Sequence, residues 1–106
     1  MCSGRSGTEV RPALPGDIGF VRDTLLASWG STVIAVHGEL IEAMEQEALV
    51  AWRDGRRVGL ATYRRYPDEL SWELVSLDAT AAGAGVGSAL LEGLEDRARA
   101  AGARRI

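Results

Sequence analysis

Lysine is missing altogether: all twelve basic residues of this 106-residue chain are arginines. That absence excludes a P-loop, whose GxxxxGK motif needs a lysine ammonium at the β- and γ-phosphates. Cysteine and histidine occur once each, as Cys2 and His37. One thiol makes no intramolecular disulfide, and one of each makes no zinc site, so no metal is expected. No apolar run approaches the roughly 18 residues of a membrane span, and the N-terminus has no signal-type apolar region. The net charge is −3 and no basic cluster exceeds two adjacent arginines. Nucleic-acid binding needs a concentrated positive face and is excluded. The expectation is a protein of the cytoplasm, where a lone thiol stays reduced, with no membrane and no nucleic acid among its partners.

What is present is ordinary for one small soluble domain, 46% hydrophobic and 25% charged. Residues 1–7, MCSGRSG, read as a flexible tail. Thr8 to Ala13 reads as extended, ended by Pro12 and Pro15. Asp17 is placed to cap a helix whose apolar positions Ile18, Val21, Leu25 and Trp29 recur at steps of three and four, and Gly30 ends it. Gly38 to Glu45 reads as a second, shorter helix, with Leu40, Ile41 and Met44 opposite Glu39, Glu42 and Glu45. Ala48–Arg53 and Arg56–Tyr66 read as strands joined by Asp54-Gly55, a strong hairpin signal. Pro67-Asp68-Glu69 turns the chain, and Leu70–Leu77 reads as a third consecutive strand. Leu70, Trp72 and Leu74 fall on one face and Glu73, Val75 and Leu77 on the other. From Gly85 to Ala101 the helical period returns, with Val86, Leu90, Leu94, Ala98 and Ala101 on one face. Gly102 stops it, and Arg104-Arg105-Ile106 begins something extended.

Between the last strand and the last helix lies AAGAGVGSALL, residues 81–91, with glycines at 83, 85 and 87. Glycine is the costliest residue to order, so three before a helix need a reason. A dinucleotide fingerprint would need GxGxxG opening the first βαβ unit and an acid about 20 residues on. Counting from Gly83 the sixth position is Ser88, counting from Gly85 it is Leu90, and the residue at 105 is an arginine. That reading fails. The physical core of such motifs survives, because the first N–H groups of a helix have no intrahelical partner and carry the positive end of its dipole. Gly85 and Gly87 would admit a pyrophosphate to the backbone, and Ser88 adds a hydroxyl. The alternative is that these glycines only permit tight packing of loop on helix.

The segment ELVSLDATAAGAGVGSALLEGLEDRARAAGARRI resembles the acetyl-CoA-binding core of the GNAT acyltransferase superfamily. The family's Gln/Arg-x-x-Gly-x-Gly/Ala signature maps onto Ala82-Gly83-Ala84-Gly85-Val86-Gly87, and the preceding order of elements also matches. The position usually held by Gln or Arg in the family is Ala82 here, and Ala84 sits where many members carry another basic residue. The resemblance, from about Glu9 to Ile106, implies an α+β fold, the GNAT-like acyl-CoA N-acyltransferase fold. It would be an antiparallel meander with flanking helices, truncated after the third helix. Residues 8–106 would form a partial domain lacking the C-terminal strands and fourth helix. The function implied is direct transfer of an acetyl group from acetyl-CoA, as cosubstrate, to a primary amine on a small molecule or peptide. Leu77, Asp78, Ala79, Ala84, Gly85, Val86, Gly87, Ser88 and Ala89 would bind the cosubstrate, with the backbone N–H of Ala79 or a neighbour on the thioester oxygen. Glu73 would be the general base, directly or through water; alternatively it is an ordinary strand carboxylate paired with an arginine such as Arg64. The group that protonates the leaving thiolate is not found. A non-catalytic CoA-binding or interaction module, a fragment of a longer enzyme, and a homodimer completing the cleft remain as further readings.

Overall fold

The computed structural model describes residues 8–66, 70–79 and 85–103. The tail at 1–7, the turn at 67–69, the loop containing Ala82 and Ala84, and the segment begun by Arg104 lie outside the described residues. The elements run β1 (Glu9–Pro12), α1 (Ile18–Trp29), β2 (Val33–Val36), β3 (Glu39–Glu42), β4 (Glu47–Arg53), β5 (Arg56–Tyr66), β6 (Ser71–Ala79) and α2 (Val86–Ala100). Strands β1, β4, β5 and β6 form one sheet in that order, every pairing antiparallel. The hairpin signal forms its turn with Asp54 at φ 53° and Gly55 at φ 77°.

Helix α2 covers one face of this sheet. Val86, Leu90, Leu94 and Ala98, the expected stripe, are buried against Leu49, Ala61, Tyr63 and Trp72, while Ala101 is exposed. Tyr63 and Trp72 stack with ring centroids 5.0 Å apart. Gly59 lets the helix approach: a Cβ there would stand 2.5 Å from Val86 Cγ1. The other face carries α1, through Val21 and Leu25 packed with Val50, Leu60 and Val75. Ile18 and Trp29, expected in the same stripe, are about half exposed instead. Asp17 does not cap α1 with its side chain. It accepts the N–H of Leu14 (2.7 Å) and an ion pair from Arg57 (2.7 Å).

Gly38–Glu45 is not a helix. Val33–Val36 and Glu39–Glu42 pair antiparallel as a separate two-stranded hairpin, Ile34 opposite Ile41, and only Ala43–Glu45 makes a single 3₁₀ turn. The chain therefore has two α-helices among the described residues, and the glycine loop opens the second of them. The apolar run Leu40-Ile41 fits either period. The deciding signals are the β-branched Val33, Ile34 and Val36, and a His-Gly turn with both central residues at positive φ.

Strand β6 carries a bulge. Tyr63 lies opposite Leu74 and Thr62 opposite Ser76, so Val75 is extra. An extra residue reverses the alternation beyond it. Leu77, expected to share the face of Glu73, packs instead with the α2 cluster, while Val75 packs beneath α1.

Candidate functional site

Two features stand on or beside β6, which among the described residues is an edge of the sheet. The first is the start of α2. Gly85 caps the helix at φ 75°, a left-handed conformation that favours glycine, and the first helical bond runs from Ala89 N to Gly85 O at 3.0 Å. The N–H groups of Val86, Gly87 and Ser88 therefore have no carbonyl four residues back within the helix. Val86 and Ala89 are buried and anchor this turn to the sheet, whereas Gly85 and Ser88 are exposed. A Cβ at Gly85 would meet nothing within 4 Å, and one at Gly87 only Leu77 Cδ2 at 4.0 Å. The turn thus presents N–H donors at the positive end of a fifteen-residue helix.

Leu77, near the end of β6, packs on the core cluster that holds Val86, the residue before Gly87. Asp78 is held from the other face, where the Trp29 indole donates to its carboxylate at 3.1 Å. Alternate N–H groups on an edge strand point away from its one neighbour. So the expected residues Leu77, Asp78, Ala79, Gly85, Val86, Gly87, Ser88 and Ala89 fall in two adjoining segments; Ala84 lies outside the described residues.

The second feature surrounds Glu73. Its Oε1 accepts from the Tyr66 hydroxyl (2.7 Å) and from Arg64 Nη2 (3.1 Å), the ion pair that was the alternative expectation for this residue. Arg64 also donates to the Tyr66 oxygen and grips both oxygens of Glu39, at 3.1 and 3.2 Å. Nε2 of His37 lies 3.3 Å from Glu73 Oε2. The Tyr66 hydroxyl above all, then Arg64 and His37, hold the Glu73 carboxyl below the usual carboxylate range. The same hydrogen bond pushes the Tyr66 phenol up, and Glu39 with Glu73 raises the Arg64 guanidinium above its ordinary value. Beneath the cluster and beside the bulge, the buried hydroxyls of Thr62 and Ser76 share a hydrogen bond of 2.5 Å.

Sequence reasoning paired Glu73 with Arg64 and did not join the rest of this cluster to them. Tyr66, two residues beyond Arg64 on one strand face, was a readable neighbour; Glu39 and His37 needed the hairpin. An apolar cleft of about 340 Å³, lined by residues including Leu14, Ile18, Met44 and Tyr63, opens elsewhere and shares no residue with either feature. Among the described residues no cluster of three His, Cys, Asp or Glu could hold a metal ion, and no helix is long and apolar enough to cross a membrane.

The acetyltransferase (GNAT) family model matches residues 20–106. The chain belongs to that family. No curated protein matches it. Among solved structures, a ribosomal-protein-alanine N-acetyltransferase from Brucella melitensis biovar Abortus superposes with a TM-score of 0.72 at 17% identity, over 92% of this chain and 76% of that one. N-acetylglutamate synthase from Neisseria gonorrhoeae, complexed with coenzyme A and N-acetyl-glutamate, gives 0.67 at 23% identity over 90% of this chain. The chain spans only 23% of that enzyme. An N-acetyltransferase from Kribbella flavida gives 0.57 at 27% identity, over 92% of this chain and 68% of that one. At these identities the likeness is one of fold.

Proposed function

We propose that the chain carries the acetyl-CoA site of an N-acetyltransferase that moves an acetyl group directly to a primary amine. The observation that carries this reading is the first turn of α2, opened by the exposed Gly85 and packed beside Leu77 of β6, an edge strand among the described residues. A pyrophosphate is a ligand that three N–H groups without helical acceptors and a helix dipole are suited to receive. With Ala at 82 and 84 and no base in the first turn, the backbone provides the attraction. The outward N–H groups of β6 near Leu77–Ala79 are placed to bind amide and thioester oxygens, in the manner of an added strand. The cosubstrate supplies the activated thioester; the chain supplies binding, orientation and a carboxylate, Glu73, facing the acceptor side. Relatives crystallised with coenzyme A support this reading, as does the N-acetyl-glutamate named with one of them. A cytoplasmic setting accords with it.

Gly87→Glu tests the reading. The side chain has room, and an acid in a helix's first turn favours the helix, so thermal stability should hold or rise. Its carboxylate would stand over the free N–H groups. Acetyl-CoA affinity by calorimetry should fall at least about tenfold, or ~1.4 kcal/mol. Unchanged affinity sinks the proposal; binding without turnover on any of a panel of amines leaves a CoA-binding module.

A further inference from the structure

The β2–β3 turn delivers the chain's only histidine to Glu73. Its central residues, His37 at φ 52° and Gly38 at φ 80°, both adopt the left-handed conformation of a tight two-residue hairpin loop. Histidine is one of the few side chains that tolerate it. The hairpin tip is tied down twice, by His37 on Glu73 of β6 and by Glu39 on Arg64 of β5. Glu73 from β6 faces His37, and the charged and titratable groups joined to that carboxylate are Arg64 and Tyr66 from β5 and, through Arg64, Glu39 from the hairpin of His37 itself.

Oε1 of Glu73 is committed to Arg64 and Tyr66, which makes that oxygen a poor proton acceptor. The remaining oxygen, Oε2, faces the imidazole. The His37 side chain is 83% exposed, so the ring nitrogen turned away from Glu73 is open to an arriving substrate. A carboxylate on one ring nitrogen fixes the tautomer, leaves the other nitrogen's lone pair free, and stabilises the imidazolium that forms. Imidazole is also the side chain whose charge changes nearest neutrality.

We propose that His37, oriented by Glu73, takes the proton from the acceptor's ammonium group; this rests on the acetyl-transfer reading above. The ammonium proton passes to Nδ1 of His37, and the freed nitrogen lone pair forms the C–N bond to the thioester carbon. The C–S bond breaks, the thiolate leaves with that electron pair and takes the nitrogen's second proton, and imidazolium returns its proton to water. One amide, one thiol and one released proton result. Glu73 is then a positioning residue and His37 the catalytic base.

A lone histidine gives one imidazole Cε1–H signal, so the pair can be read by NMR without any activity. With the ring neutral, the Nε2–H tautomer selected by the Glu73 contact, read from the ring nitrogen shifts, should lose population in Glu73→Ala and keep it in Glu73→Asp. Equal tautomer populations in wild type and Glu73→Ala overturn the pairing. In acetyl transfer, His37→Gln should lower kcat/KM at pH 7 about a hundredfold. It should also leave the acetyl-CoA Kd unchanged. A variant that keeps the wild-type rate overturns the catalytic role. So does a wild-type protein that binds acetyl-CoA yet acetylates no amine; failure to bind acetyl-CoA overturns the acetyl-transfer reading itself, while the NMR comparison still decides the pairing.

Discussion

Gly59→Ala adds one methyl group at the point where α2 meets the sheet. Its Cβ would lie 2.5 Å from Val86 Cγ1, 3.0 Å from Leu90 Cδ1 and 3.1 Å from the Asp78 carbonyl oxygen. Carbon atoms rest at about 3.5–4.0 Å, so the Val86 contact alone demands a retreat of roughly 1 Å. Val86 is β-branched, on a helix and 1% exposed, so it has no free rotamer to escape into. Overpacking of this kind costs about 1–3 kcal/mol, offset by about 0.4–1 kcal/mol from a stiffer unfolded chain. The net expectation is about 1–2 kcal/mol of destabilisation, or a Tm lower by roughly 5–15 °C in a domain of this size. Because the retreat moves the first turn of α2, acetyl-CoA affinity should fall as well. Adding Val86→Ala vacates the contested volume, and a double-mutant cycle in urea should recover about 1 kcal/mol of coupling. Gly59→Ala with an unchanged midpoint, or a cycle with no coupling, would refute this account of why α2 sits where it does.

Asp17 is held below the usual carboxylate range by the Leu14 N–H and by Arg57. A carboxyl depressed in the folded state stabilises above its unfolded pKa, and that contribution fades as pH falls through the range below about 4. Asp17→Asn should therefore cost about 1.5–3 kcal/mol at pH 7. The gap in Tm from wild type should narrow below pH 4; a constant gap from pH 7 to 2 would contradict the assignment. Leu90→Ala, at a fully buried position, should lose about 2–5 kcal/mol in urea unfolding. Leu91→Ala, one residue on and 37% exposed, should stay within about 0.5 kcal/mol, and similar losses at both would mean α2 is rotated.

Local signals carried much of the fold. Asp54-Gly55 joins β4 to β5, and the spacing Val86, Leu90, Leu94, Ala98 is the buried stripe of α2. Gly85 and Gly87 do open that helix, with three N–H groups free of helical acceptors. Each of these is a statement about neighbours within one turn or one hairpin, where backbone sterics and period decide the outcome. The hairpin at 33–42 was not legible from Leu40-Ile41 alone, because a short apolar run satisfies either period and pairing partners decide. The bulge at Val75 likewise has no local marker, yet it moves Leu77 to the α2 face.

The sequence by itself determined the meander, the two α-helices and a glycine-opened helix N-terminus, since all are marked by local signals, turn residues and periodicity. Only the tertiary structure decided that His37, Glu39, Arg64, Tyr66 and Glu73 share one hydrogen-bonded cluster, and that Trp29 holds Asp78 across 49 positions. Such assemblies depend on register and on which face a strand presents. A single residue of slip changes both, and no local propensity records it.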